Sequence, residues 1–396
     1  MELAEKKGLE SNIIKFYLFY VLFGMAFFIP IIVLFWQENG LTITEIMVLQ
    51  AFFSLFVILL EVPSGYFADL YGRKITLIAS SVFWTVGLFT YSLGHNFTQF
   101  LVAEFLWAIG SSLFSGTDTA LLYDSLLNLG REKEFKEIIG KAHFFRLMSL
   151  SVACVLGGFI AKMGFRWTFF AVQPFYFALI PLAISLAEPI RRKRIISKNY
   201  LSDLRKVILN HVIHKPEVRW LIVYGAVISL SVRGIMWLYQ PYFKVIGLDL
   251  VYFGFIFAAM NLVAAISAKY SYSIEAFLGR KNSLILLVVL VGSGFFLMST
   301  FVFFYSFVFV FLFQFTRAFE QVVLSDYINK VTLSEIRATV LSVQGLADRF
   351  LYALIIPVIG FVTDVYGVVE ALAVFGVTSV IVGVTILSIL RFDKVI

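Results

Sequence analysis

With one cysteine, Cys154, in 396 residues, the chain can build no internal disulfide framework. Histidine is scarce too. His211 and His214 have a spacing that could hold a metal, but no cysteine or carboxylate cluster accompanies them, so no metal site is expected. The sequence lacks a nucleophile with a positioned base and a glycine loop that could cradle phosphate, which argues against an enzyme and against a bound cofactor. Charge is sparse: 14% of residues are charged and 60% are hydrophobic, far outside the usual range of soluble domains.

What remains is apolar sequence in long runs. Stretches long enough to cross about 30 Å of hydrocarbon must be helices, because a helix satisfies its own backbone hydrogen bonds in lipid. Twelve such spans are expected, at 13–37, 43–67, 74–94, 97–127, 137–162, 166–188, 217–244, 249–275, 282–301, 303–328, 335–363 and 368–390. The first run shows no small-residue cleavage site and reads as a retained helix. With the amino terminus inside, the inner loops and both termini carry 24 of the 32 lysines and arginines, as the positive-inside rule requires. The formal charge of +7 therefore reports topology and points to no nucleic acid. The expectation is an all-α, multi-pass protein of the cell membrane, monomeric in the lipid bilayer, with both termini cytoplasmic.

The chain repeats itself. "ADLYGRKITL" (68–77) matches "EAFLGRKNSL" (275–284) at an offset of 207, which also lays Gly40-Leu41 on Gly247-Leu248. "LLYDSLLNL" (121–129) lies over "VLSDYINKV" (323–331) at an offset of 202, setting Asp124 on Asp326 and Gly158 on Gly360. Two pseudo-symmetric six-helix bundles follow, 1–188 and 217–396, joined by a cytoplasmic linker at 189–216. The linker opens with Arg191, Arg192, Lys193 and Arg194, and Leu201, Leu204, Ile208 and Val212 fall at helical spacing, which suggests an amphipathic helix on the membrane face.

One loop is dense in charge. Gly65-x-x-x-Asp69-x-x-Gly72-Arg73-Lys74, between the second and third spans, resembles the signature loop of the major facilitator superfamily. That resemblance implies a twelve-helix transporter in which the loop aspartate caps helix 11 and the arginine pairs with an acid at the inner end of helix 4. Together they would latch the outward-facing state. The matching acid is Asp124, and the repeat expects Arg280 with Asp326 in the second half, where Ala276 replaces the aspartate.

Charges at membrane depth are expensive and point to function. On helix 4, Glu104, Ser111, Ser115 and Asp118 are spaced by 7, 4 and 3, one narrow stripe at about 100° per residue, with Trp107 beside it. Asp124 lies on the other side. The same offset places Arg317 and Glu320 on helix 10 as local partners, and Arg233 on helix 7 adds positive charge. Tying helices together is the competing role, above all for Arg146, Lys269 and Arg349. Glu61, one turn before Gly65, is either a proton carrier or a brace for the latch. Two departures from the family pattern stand out: Glu104 occupies a position where proton-driven members often have arginine, and "ACVLGG" lacks the Gly-Pro that antiporters tend to carry. The expected function is alternating-access transport of a small organic solute, with proton-coupled efflux ahead of proton-coupled uptake. A non-transporting membrane sensor or scaffold is the rival from another class.

Overall fold

A computed structural model describes residues 3–190, 208–333 and 336–393. The basic cluster Arg191–Arg194 and the amphipathic positions Leu201 and Leu204 lie outside the described residues; from Ile208 to Ile213 the backbone forms a short π-helix. Among the described residues the fold is helical, with ten segments long and apolar enough to cross a membrane. Each of the twelve expected ranges contains helical backbone.

In chain order the helices are α1 (Leu3–Gly24), α2 (Ile32–Glu38), α3 (Ile43–Tyr71), α4 (Arg73–Leu93), α5 (Phe97–Phe114), α6 (Thr117–Asn128), α7 (Phe135–Ile160) and α8 (Phe165–Ser185). After the linker come α9 (Pro216–Gly234), α10 (Tyr239–Val245), α11 (Leu250–Thr300), α12 (Val310–Val331), α13 (Arg337–Tyr366) and α14 (Val368–Phe392). At 1.5 Å per residue the 51 residues of α11 would span on the order of 75 Å, far more than one bilayer. Gly279 interrupts it at φ 72°, where the sequence expects two spans to meet.

Three expected single spans are broken. The first divides into α1 and α2 around Pro30, and the seventh divides into α9 and α10. α2 and α10 are both seven residues long and sit 207 positions apart. Each ends on a glycine of positive φ, 86° at Gly40 and 75° at Gly247. In each, the amide of the following leucine bonds back to a carbonyl, Leu41 to Trp36 and Leu248 to Phe243, at 3.1 and 3.0 Å. Glycine has no Cβ to obstruct that left-handed step, so the duplicated Gly-Leu pair produces the same turn twice. The third break, at Ser115-Gly116, has no counterpart in α12, which runs through unbroken.

Two compact units result. The first gathers the chain up to Leu41, Phe52 to the linker, and Leu250–Ala258; the second gathers Thr42–Ala51 and the remainder. Small residues explain why these helix starts exchange. A Cβ on Gly254 would lie 2.3 Å from the Cys154 carbonyl oxygen, so 250–258 and α7 approach backbone to backbone in the first unit. Gly360 of α13 holds the start of α3 in the same way in the second, its Cβ position 2.8 Å from the Thr44 Cα. Asp364, one turn further along α13, accepts hydrogen bonds from the amides of Ile43 and Thr44 at 2.9 and 2.7 Å. Its carboxylate thus caps the first turn of α3, where the helix dipole favours an anion.

Within the first unit α4 packs between α5 and α8. Ser80 donates to the Gly110 carbonyl at 2.7 Å, Thr85 to Tyr176 at 3.0 Å, and Trp84 stacks on Phe23 at 4.5 Å. In the second unit Tyr224 donates to the Leu284 carbonyl at 2.5 Å, and Phe295 lies between Phe313 and Phe375. Ser80, Thr85 and Tyr224, on otherwise apolar faces, thus find acceptors inside their bundles, as burial demands.

Candidate functional site

The charged signature segment is helical where the sequence suggests a glycine-bounded turn. α3 continues through Gly65 and Asp69 to Tyr71, and only Gly72, at φ 106°, breaks the chain. A Cβ on Gly65 would meet nothing within 4 Å, so close helix approach is not its role. Asp69 and Arg73 fall one helical turn apart across Gly72, with Arg73 Nη1 at 3.4 Å from Asp69 and Nε at 3.9 Å from Asp124. Arg73 Nε has no hydrogen-bond acceptor of its own, so its attraction to Asp124 is electrostatic.

Glu188, just after α8, completes this cluster. Its two carboxylate oxygens accept from the backbone amides of Arg73 at 2.9 Å and Lys74 at 2.6 Å, satisfying donors that the first turn of α4 leaves open. Asn12 fixes the neighbouring segment, its amide donating to the Ala187 carbonyl at 2.8 Å while its carbonyl accepts from the Ala187 amide. A carboxylate cap with dipole support is worth about 1–2 kcal/mol. We therefore expect Glu188→Ala to lower the apparent melting temperature of purified protein by about 1–2 °C, and an unchanged melting curve would contradict this role.

The second copy of the motif uses other partners than the repeat predicts. Arg280 Nη2 bonds Glu217 at 2.9 Å and its guanidinium lies 5.3 Å from the Tyr327 ring. Asp326, the expected partner, instead pairs with Lys330 four residues along α12 at 2.6 Å, on an exposed face. Tyr327, one position on, donates to Glu275 at 2.8 Å. The two copies align in sequence, but α12 turns its tyrosine, not its aspartate, toward the arginine.

The stripe expected on helix 4 is divided by the Ser115-Gly116 break. Gly116 takes φ 76°, and α6 restarts at Thr117, so residues before and after the break no longer share one helical register. Glu104 is buried and accepts from the Tyr91 hydroxyl of α4. Ser111 accepts from Trp84 Nε1 at 3.1 Å, and Trp107 packs among Phe28, Trp84 and Tyr176. These three residues bind α5 into its own bundle; Ser115 is exposed. Asp118, in contrast, lies in the first turn of α6 and accepts the Tyr20 hydroxyl at 2.5 Å, with help from the backbone amides of Asp118 and Thr119. Glu61 is exposed on α3, not buried as its apolar neighbours imply.

In the second unit the acids gather elsewhere. Glu320 of α12 is 7% exposed, and Asp348 of α13 and Arg233 of α9 act on it electrostatically. Arg317 acts electrostatically on Tyr239. Gly225 of α9 leaves the space that Glu320 Oε1 and Gln344 Nε2 approach, each within 4 Å of where its Cβ would be. The Arg233 guanidinium lies 4.7 Å from the centre of the Tyr352 ring, and Trp237 donates to the Tyr352 hydroxyl at 2.6 Å. Asp348 Oδ1 is buried without a hydrogen-bond donor. Gln344, Asp348 and Tyr352 recur every fourth residue, which places them on one face of α13. That spacing was the available signal for a cluster that attention to Arg349 passes over. Lys269 is exposed and touches only the ring of adjacent Tyr270 among described contacts.

No group of three or more metal-ligating side chains occurs among the described residues. The family model described as Major Facilitator Superfamily matches residues 16–350. An uncharacterised MFS-type transporter, YxaM, of Bacillus subtilis is 23% identical over 342 residues, covering 83% of this chain and 84% of its own length. The quinolone resistance protein NorA of Staphylococcus aureus is 23% identical over 166 residues, covering 42% of this chain and 40% of NorA. Among solved structures, the nucleoside transporter NupG superposes with a TM-score of 0.79 at 12% identity, over 98% of this chain and 99% of NupG.

Proposed function

From the premise that the chain belongs to the major facilitator superfamily, a family of transporters, we propose that it exports a small organic solute by proton-coupled alternating access. The observation that carries the coupling is the buried Glu320 beside Asp348 and Arg233, with an Asp348 oxygen left unsatisfied. Carboxyls at membrane depth are costly to keep and by default mark a functional path. Tyr224 of α9 also senses Glu320. In this reading a proton on Glu320 or Asp348 changes how strongly Arg233 is held, and so which arrangement of the helices is favoured.

Export is supported by the partial likeness to a quinolone resistance protein. The Arg73, Asp69, Asp124 and Glu188 cluster is the device proposed to favour one state over the other. Flux into proteoliposomes tests both parts. Acidifying the lumen should drive solute inward if the protein is an antiporter, whereas an acidic exterior should do so for the rival symport reading. No response to either gradient would remove proton coupling. We expect Arg73→Ala to slow gradient-driven flux at least about tenfold, since weakening a charged contact by about 1.5–3 kcal/mol shifts a two-state equilibrium that far. Unaltered flux would exclude the cluster from the cycle.

A further inference from the structure

Arg146 of α7 is a cation at membrane depth to which the proton-coupling scheme gives no task. It is partly exposed. Its Nε is buried with no acceptor, and among the described residues no carboxylate lies within ion-pair distance of the guanidinium. Its guanidinium lies among aromatic side chains, with Cζ 5.8 Å from the centre of the Phe23 ring and Tyr20 and Tyr176 in its electrostatic reach. Asp118 is the acid that feels Arg146 electrostatically, but its oxygens serve the Tyr20 hydroxyl and the backbone amides at the start of α6. His143, one turn before Arg146, sits with its ring 5.3 Å from that of Tyr20 and also feels the arginine. The result is a pair of basic groups on one helical turn, next to aromatic surface, whose nearest anion is already engaged.

A planar guanidinium presents a fork of donors that fits a carboxylate with two parallel hydrogen bonds. An unmatched donor in a buried position keeps a desolvation penalty that such an acceptor would remove. A solute carrying both an oxyanion and an aromatic ring would meet the Arg146 fork with one end and the aromatic side chains grouped around it, Tyr20, Phe23 and Tyr176, with the other. We propose that Arg146 is the anchor for the anionic group of the transported solute, and that the solute is an aromatic organic acid. This rests on the transport reading above, because it assigns the substrate class of that transporter. Arg146 acting only as a through-space counter-charge for Asp118 is the alternative.

The test is binding to the full chain in detergent with no gradient, using 1-naphthoate, 1-naphthamide and cyclohexanecarboxylate as probes. Thermal stabilisation and quenching of tryptophan fluorescence supply independent readouts. Naphthoate should bind, the neutral amide should bind at least tenfold more weakly, and the non-aromatic acid should fall between them. Arg146→Gln should lose at least tenfold in naphthoate affinity, about 1.4 kcal/mol, and bring naphthoate and naphthamide to the same level. Arg146→Lys keeps the charge and discards the fork, so it should retain the preference for the acid at reduced affinity. Lysine serves a counter-charge as well as arginine does, so full naphthoate affinity in Arg146→Lys would overturn the anchor. Equal binding of acid and amide by the unmodified protein, or no binding of either acid, would overturn it too. Should the glutamine variant fail to fold, the lysine variant and the acid-to-amide comparison decide alone. Preserved acid binding with no response of flux to pH would sink proton coupling and leave the anchor standing; gradient-driven flux with no acid binding would do the reverse.

Discussion

Glu320→Gln should reduce pH-gradient-driven transport to the level of protein-free liposomes while sparing exchange of solute for solute. Glutamine keeps the size and hydrogen-bonding shape of the side chain but cannot bind and release a proton. Only steps that require the proton to move should therefore stop. Arg233 and Asp348 flank Glu320 from α9 and α13, and Gln344 shares the space over Gly225. Removing the charge of Glu320 relieves its burial cost and its repulsion with Asp348, which together outweigh the lost attraction to Arg233, so the variant should fold and melt at or above the temperature of the parent. Asp348→Asn should slow the driven reaction by a smaller factor, because Asp348 is the less deeply buried of the two acids and the buried Glu320 remains beside Arg233 to take the proton. The pair distinguishes a proton path from a structural tie. If both variants lost driven flux and exchange in parallel, the cluster would be holding the helices and not the proton.

How much of this was legible in the sequence depends on the length over which each signal is written. Hydropathy is averaged over some twenty residues, so the spans and the duplication stand out, and Gly40 and Gly247 mark the same turn in both halves. The same averaging hides a break of two residues: Ser115-Gly116 lies within an apolar run, yet it separates Glu104 from Asp118 and sends them to different helices. Glu188 gave no local signal, because what it caps is more than a hundred positions away. Arg73 with Asp124 followed from the family motif, whereas Arg280 with Asp326 did not survive. Sequence alignment conserves positions, but the rotation of α12 decides that Asp326 faces Lys330 and Tyr327 faces Arg280. Asp348 carries the general lesson. A single acid in an apolar helix looks like a neighbour of Arg349, and only packing shows it beside Glu320.

Gly254→Val should cost about 3 kcal/mol or more and lower the yield of folded protein sharply. The estimate follows from where the first added carbon would go: 2.3 Å from the Cys154 carbonyl oxygen and 3.0 Å from the Val155 Cα. Those atoms belong to the backbone of α7, which cannot rotate away as a side chain can, so the helices must separate. Forced overpacking of side chains alone costs about 1–3 kcal/mol, and separating two backbones also gives up the dispersion contacts along the seam. Gly158 faces the same stretch from the other side, its Cβ position 3.1 Å from the Val251 carbonyl oxygen, so a shift of 250–258 cannot relieve one contact without loosening the other. Gly65→Ala provides the contrast. It lies within α3 with nothing near its Cβ, and alanine there should stabilise by about 0.5–1 kcal/mol through helix propensity. Melting curves of the two variants in one detergent would compare them directly. If valine at 254 melts within about 1 °C of the parent, a shift worth under about 1 kcal/mol for a chain of this size, the backbone seam does not hold the first unit together.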